Sequence, residues 1–333
     1  MKTTFALIGL LCGIGFAVSA AAQETPIVCS AAPLDVTLQG EWTEGAPMPT
    51  PRSELGSAAM DGVIYVAGGL IEDGISDAFE SYTVAEDEWT TLASLPVGLH
   101  HLGIAALDGK IYLTGGYADN QFTPDARTWV YDPENDAWVQ LNDLPEPIGA
   151  HQLVNVDGTL YIVGGVPQGT TLWAYDAETD TWDTSLTPMP TAREHLGATA
   201  LDGRLVVVGG RWSAGNLATV EAYDPASDEW ETLPDMPTAR GGFNVASVEG
   251  RVYAAGGEAF IGDGCTFNRA EGYDAETDTW HRLDDMPTTR HGLTMAGVEG
   301  QWIIIGGATG AGGMTFETTS DRVEIFTPAS ESN

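Results

Sequence analysis

Basic side chains are scarce, with 13 lysines and arginines against 48 aspartates and glutamates in 333 residues, a formal charge of −35. A surface that acidic repels nucleic acid and anionic membranes at long range, which argues against either as a partner. Cysteine is nearly absent: there are three in the chain, and none has the paired spacing of a structural zinc site. Hydrophobic runs of membrane-spanning length are missing after residue 22, so no membrane insertion is expected there. Nucleophile motifs and phosphate-cradling glycine loops are missing as well, since no helix start follows the recurring Gly-Gly pairs to receive a phosphate.

The chain opens differently. Lys2, an apolar run from Phe5 to Val18 and the small residues Ser19 to Ala22 form the pattern of a cleavable export signal over residues 1–22. Cys12 follows Leu11, where a lipid-anchoring site would need a small residue. The expectation is an exported protein, periplasmic or extracellular, whose acidic surplus forms a solvation layer. Cys29 and Cys265 remain after cleavage, and an even pair in an exported chain is compatible with one disulfide.

One unit recurs six times. Diglycines stand at Gly68, Gly115, Gly164, Gly209, Gly256 and Gly306 with their successors, at steps of 47, 49, 45, 47 and 50 residues. Ahead of each lies an alternating apolar strand, such as Val63-Ile64-Tyr65-Val66, entered through an acidic-glycine turn such as Asp61-Gly62. Beyond it comes a strand ending in an aromatic residue, Tyr-Asp in the middle copies, and tryptophans recur in step at Trp42, Trp89, Trp138, Trp182, Trp230 and Trp280. Each unit therefore reads as four short strands, a to d. One such sheet cannot bury both its faces alone, but six around an axis bury one another.

Paired glycines, then a tyrosine, then a tryptophan resemble the kelch repeat, over residues 42–326. The resemblance implies an all-β, six-bladed propeller, here of an exported bacterial type. The sixth unit stops after its third strand, Arg322 to Phe326, while Glu41-Trp42-Thr43 has no strands of its own to join. The N-terminal strand is thus expected to complete the last blade and close the ring. The expected organisation is a signal peptide over 1–22, an extension over 23–40, the propeller over 41–327 and a tail over 328–333. The segment before Trp42 is expected to run along blade six, where a Cys29–Cys265 disulfide to the loop of adjacent blade five could pin it.

In an up-down blade the d-to-a and b-to-c connections share one side. The opposite side carries uniform acidic turns that read as strand caps rather than calcium sites. On the first side the b-to-c loops vary, spanning 13, 15, 10, 13, 16 and 19 residues from the second glycine to the closing aromatic residue. Varied loops on a uniform scaffold are where recognition is usually placed. Sixteen residues before the diglycines stand Arg52, Leu99, Ile148, Arg193, Arg240 and Arg290, and two residues further on stand Glu54, His101, Ala150, His195, Gly242 and Gly292. Arginines converging on one axis repel each other unless carboxylates or a ligand answer them. One reading makes the arginines structural, bonding loop carbonyls. The other makes them an anion site at the channel mouth. Kelch propellers that bind acidic peptides use arginines at these two positions, so the resemblance implicates Arg52, Arg193, Arg240 and Arg290, with His101 and His195 at the second position. Leu99 and Ile148 break the pattern, leaving an apolar gap that suits a ligand with one apolar and one acidic end.

The leading expectation is a non-enzymatic binding module, without cofactor or metal, for an acidic peptide or acidic small sugar on the b–c and d–a loop face. A second reading is similar to the exported kelch propellers that interconvert anomers of sialic acid, a mutarotase or epimerase with Glu54 or a channel histidine moving the proton. Its mark would be a carboxylate and an imidazole facing each other across the mouth. A copper-radical sugar oxidase, also known on a kelch propeller, is disfavoured because Cys265 is the only cysteine in the propeller body.

Overall fold

The computed structural model describes residues 26–31, 35–213, 215–260 and 264–329. The export signal expected over 1–22 lies outside the described residues. No described helix is long and apolar enough to cross a membrane.

Six four-stranded antiparallel sheets form the blades of a propeller. Blade one comprises Gly56–Met60, Val63–Ala67, Phe79–Thr83 and Glu88–Thr91. Blades two to five repeat the a-b-c-d order, and blade six takes strands a to c from Thr294–Val298, Gln301–Ile305 and Val323–Pro328. Its fourth strand is Gly40–Gly45, paired so that Trp42 lies opposite Phe326. The ring therefore closes through the N-terminal strand. Innermost strands a touch those of both neighbours, blade one against blade six included.

The apolar core is divided among the blade interfaces. Phe79 and Ala67 of blade one, for example, meet Ile111, Leu113 and Tyr131 of blade two, and Phe79 stands edge-on to Tyr131 at 4.8 Å. The repeated tryptophans are only half-buried, and several reach back to the preceding unit: Trp89, Trp138, Trp230 and Trp280 donate their Nε1–H to the carbonyls of Ala46, Ala93, Thr187 and Pro234. Beside these tryptophans, Tyr82, Tyr131, Tyr175, Tyr223 and Tyr273 each donate a hydroxyl to an aspartate five residues on. Asp87, Asp136 and Asp228 also accept backbone N–H groups of neighbouring turns. The acidic turns are strand caps.

Diglycines stitch blade to blade. Gly69 N–H donates to Leu99 O at 2.8 Å, and a Cβ on Gly68, at φ +61°, would stand 2.2 Å from that same oxygen. No side chain fits there, whatever its chemistry. Cys29 and Cys265 are disulfide-bonded, with Cα atoms 5.1 Å apart. The N-terminal extension does not follow blade six. Val28 bridges Thr266 and Val36 bridges Arg282, so it runs along blade five.

Candidate functional site

The four repeat-position arginines lie inside the blades, not at the mouth. Arg52, Arg193, Arg240 and Arg290 are fully buried, each ion-paired to a glutamate on strand c of its own blade: Glu80, Glu221, Glu271 and Glu324. Arg52 is typical, donating to Glu80 Oε2 at 2.6 Å and to the carbonyls of Gly68 and Ala78 at 2.8 Å each. Burial lowers the pKa of each guanidinium, and its glutamate pulls it back up. These side chains hold the diglycine turn to strand c, which corrects the expected arginine ring: every cation in it is already answered. The sequence carried the signal. Two residues before the closing aromatic of strand c stand Glu80, Trp129, Trp173, Glu221, Glu271 and Glu324, so each arginine has its glutamate, and Leu99 and Ile148 have tryptophans instead.

The second set of positions does line the mouth. Glu54, His101, Ala150, His195, Gly242 and Gly292 all have positive φ, between 50° and 66°. Their backbones form a closed circle around the axis, in which each N–H donates to the carbonyl of the same position one blade back, from Glu54 N–H to Gly292 O at 2.6 Å round to Gly292 N–H to Gly242 O at 2.7 Å. Six hydrogen bonds thus fix the bearing of three polar side chains, Glu54, His101 and His195, and leave three gaps. Below them the channel opens into a cavity of about 530 Å³ walled by strands a.

Glu54 is the hub. Its Oε2 lies 3.3 Å from His101 Nε2, and its Oε1 lies 3.4 Å from His291 Nε2. His291 also approaches Glu258 Oε2 at 3.5 Å. Arg211 bridges Glu258 and Glu194 at 2.6 and 2.7 Å, and Glu194 accepts from His195 Nδ1, whose ring stands 4.7 Å from that of His101. Burial raises the Glu54 carboxyl against the pull of His291 and His195. The same burial depresses His101 well below the usual imidazole range and His100 to about 4. For Glu194 burial acts upward, but the hydrogen bond from His195 and the Arg211 charge prevail and bring it down to about 2. His151 faces Thr114 Oγ1 at 3.0 Å between blades two and three and takes no part.

Arg211, Glu258 and Glu194 were not singled out from sequence, although they too obey the repeat. Arg211 and Glu258 directly follow a diglycine, as Tyr117 does, and Glu194, His100 and His291 directly follow the arginine position. These two positions pair across each blade's inner edge, His100 with Tyr117 and Glu194 with Arg211.

Beside the mouth lies a cleft of about 1050 Å³ between blades four and five. Trp212, Phe260, Phe267 and Pro237 form apolar walls, Ser30 and Ala31 of the extension close one side, and Arg211 and Glu194 join it to the mouth. The Arg211 guanidinium lies 4.9 Å from the centre of the Phe260 ring, which is 60% exposed.

Fold and repeat define a six-bladed β-propeller of the kelch type. The chain belongs to the family described as the KLHDC2/KLHL20/DRC7 Kelch-repeats domain, whose profile matches residues 103–307, and a Kelch motif profile matches residues 51–96. Among curated proteins it is similar to Beta-scruin of Limulus polyphemus, 50% identical over 46 residues, 14% of this chain and 5% of that protein. It is also similar to the Kelch-like protein terF of Aspergillus terreus (strain NIH 2624 / FGSC A1156), 39% identical over 67 residues, 18% of this chain and 14% of that protein. The chain thus spans only a small part of the length of either relative. A solved structure described as "Structure of YjhT" superposes with a TM-score of 0.74 at 18% identity, covering 86% of this chain and 97% of that one, a likeness of fold alone. Kelch propellers generally bind protein partners, and the fold suggests an interaction module.

Proposed function

We propose that this chain is a binding module that takes a segment of a protein partner on its b–c loop face, in the cleft between blades four and five. The supporting observation is the cleft itself: apolar and aromatic walls around one cation, on the side where loop length varies. Trp212, Phe260 and Phe267 suit an apolar anchor, and burying one large side chain there would contribute roughly 1.5–3 kcal/mol. With the repeat-position arginines internal, an acidic group on the segment falls to Arg211, the one basic residue among the described cleft residues. Its Nε and Nη1 are taken by Glu194 and Glu258, and its side chain is 19% exposed beside the cleft. Selection of peptides from a displayed random library tests the reading. Enriched sequences should pair an aromatic or aliphatic residue with Asp or Glu and lose binding at least tenfold to Trp212→Ala or Phe260→Ser. Peptides that bind those variants undiminished would place recognition elsewhere.

A second reading, proton transfer on an acidic sugar, has one observation in its favour: Glu54 faces His101 and His291 across the mouth. Exchange spectroscopy on the anomers of such sugars tests it. An exchange rate equal with and without protein would remove it.

A further inference from the structure

We propose that Glu54, His101 and His195 form a binding site for a divalent transition-metal ion of the zinc class at the channel mouth. The inference does not rest on the cleft reading. One ligand atom from each of the three residues lies within 4.8 Å of the others. Glu54 Oε2 and His101 Nε2, 3.3 Å apart, already stand at the edge length of a tetrahedron with arms of about 2.0 Å.

Hydrogen-bond logic shows what converges there. The carbonyl of Asp119 can only accept, so His100 Nε2, 3.1 Å away, must carry the proton that it donates. A neutral His100 then presents a lone pair at Nδ1, and His101 Nδ1, at 2.6 Å, must donate to it. That leaves His101 Nε2 as a lone pair facing a carboxylate oxygen. On the other side of the site Glu194, held by Arg211, accepts from His195 Nδ1, which leaves the lone pair of His195 on Nε2. His291 Nε2 is within reach of the second oxygen of Glu54, at 3.4 Å. Two imidazoles and one carboxylate thus offer lone pairs within 4.8 Å of one another, and among the described residues no protein donor is recorded between them. A cation answers all three at once, where a proton would answer only one pair.

The surroundings are those of a built metal site. Each histidine has its second nitrogen fixed by an outer partner, Glu194 for His195 and His100 for His101, the arrangement that sets tautomer and ring orientation in metal-binding histidines. The three ligands come from blades one, two and four, on backbones tied together by the circle of six hydrogen bonds. Their side chains are 5 to 10% exposed, so water still reaches them. A cavity of about 50 Å³ bounded by all six ring residues has room for an ion and a water, which needs at least about 10–15 Å³. Two imidazoles and one carboxylate are the donor set of open zinc sites, with the fourth position left to solvent.

The test is calorimetric titration of the chelator-stripped full-length protein with Zn2+, with Co2+ as a spectroscopic probe. One Zn2+ should bind per chain, and Co2+ should give visible bands of tetrahedral intensity that Zn2+ abolishes. His101→Ala and His195→Ala should each weaken Zn2+ at least tenfold. Glu194→Gln, which touches only the outer nitrogen of His195, should weaken it by about 10 to 100-fold. His281→Ala, on the outer strand of blade five, should leave it unchanged. Should an alanine variant fail to fold, His195→Gln and the Co2+ spectrum of the unmodified protein carry the same decision. Weak multi-site binding that Ca2+ displaces equally well, or a one-to-one site that survives loss of both histidines, would overturn the proposal.

Discussion

Replacing Arg240 by methionine should destabilise the propeller and leave the mouth chemistry untouched. Arg240 is fully buried, as is Glu271, and it also donates to the carbonyls of Gly256 at 3.2 Å and Arg269 at 2.6 Å. Methionine leaves the Glu271 carboxylate in the interior beside the Thr238 hydroxyl, at 2.6 Å, but without the guanidinium that neutralised it. Stranding one member of a buried ion pair costs about 3–5 kcal/mol. At roughly 2 °C per kcal/mol for a chain of this size, the melting temperature should fall by roughly 6–10 °C. Adding Glu271→Met removes the stranded charge, so a double-mutant cycle should return a coupling of about 2–3 kcal/mol, with the unmet carbonyls accounting for what is not recovered. Replacing Arg193, Arg240 and Arg290 together would remove about 9–15 kcal/mol, comparable to the whole stability of a domain, and that variant should not fold. Differential scanning fluorimetry and urea titration decide the matter. A single variant that melts within 2 °C of the parent, and that also loses a ligand, would return these arginines to the mouth and refute the burial argument.

Other parts of the architecture give sharper or smaller effects. Deleting residues 23–46 removes the outer strand of blade six and with it Trp42, which packs 5.1 Å from Phe326; because Trp42 is half-buried its own loss should fall below the roughly 3–5 kcal/mol of a fully buried tryptophan. A truncated chain that melts within a degree or two of the parent would disprove that closure matters. Changing Cys29 and Cys265 to serine opens a cross-link spanning 236 residues, for which chain entropy sets an upper figure of about 5 kcal/mol. Two free thiols by titration in protein purified from an oxidising compartment would show that the link does not form. Ala150→Gly should stabilise by up to about 1 kcal/mol, since a φ of +54° costs alanine about 1–2 kcal/mol and the added chain entropy of glycine offsets only part. A loss of stability in urea would contradict the circle of left-handed residues at the mouth.

Repetition made the fold legible. Six diglycines, six tryptophans and a strand missing at one end matched by a strand too many at the other leave little besides a closed six-bladed ring. The candidate site was half legible, and the missing half has a physical reason. An innermost strand presents alternate residues to the channel and to the blade interior, and position alone does not say which residues face which way. Arg52 and Glu54 are two apart, yet Arg52 turns into the blade to meet Glu80 while Glu54 stands at the mouth, because the backbone goes left-handed at Glu54 with φ +52°. Comparing the six units column by column separates the two. In the arginine column, each charge has a matched opposite charge in the strand-c column, and each apolar residue a tryptophan, the mark of pairing inside a blade. The columns of Glu54, Glu194 and Arg211 hold no match repeated from unit to unit: Glu194 meets Arg211 and His195 inside blade four, while Arg211 and Glu54 also reach across blades to Glu258 and His291. A residue whose partner changes from blade to blade is not maintaining the repeat. Interactions that break the sixfold pattern are therefore where function should be sought in this molecule, and they gather at the mouth and in the cleft beside it.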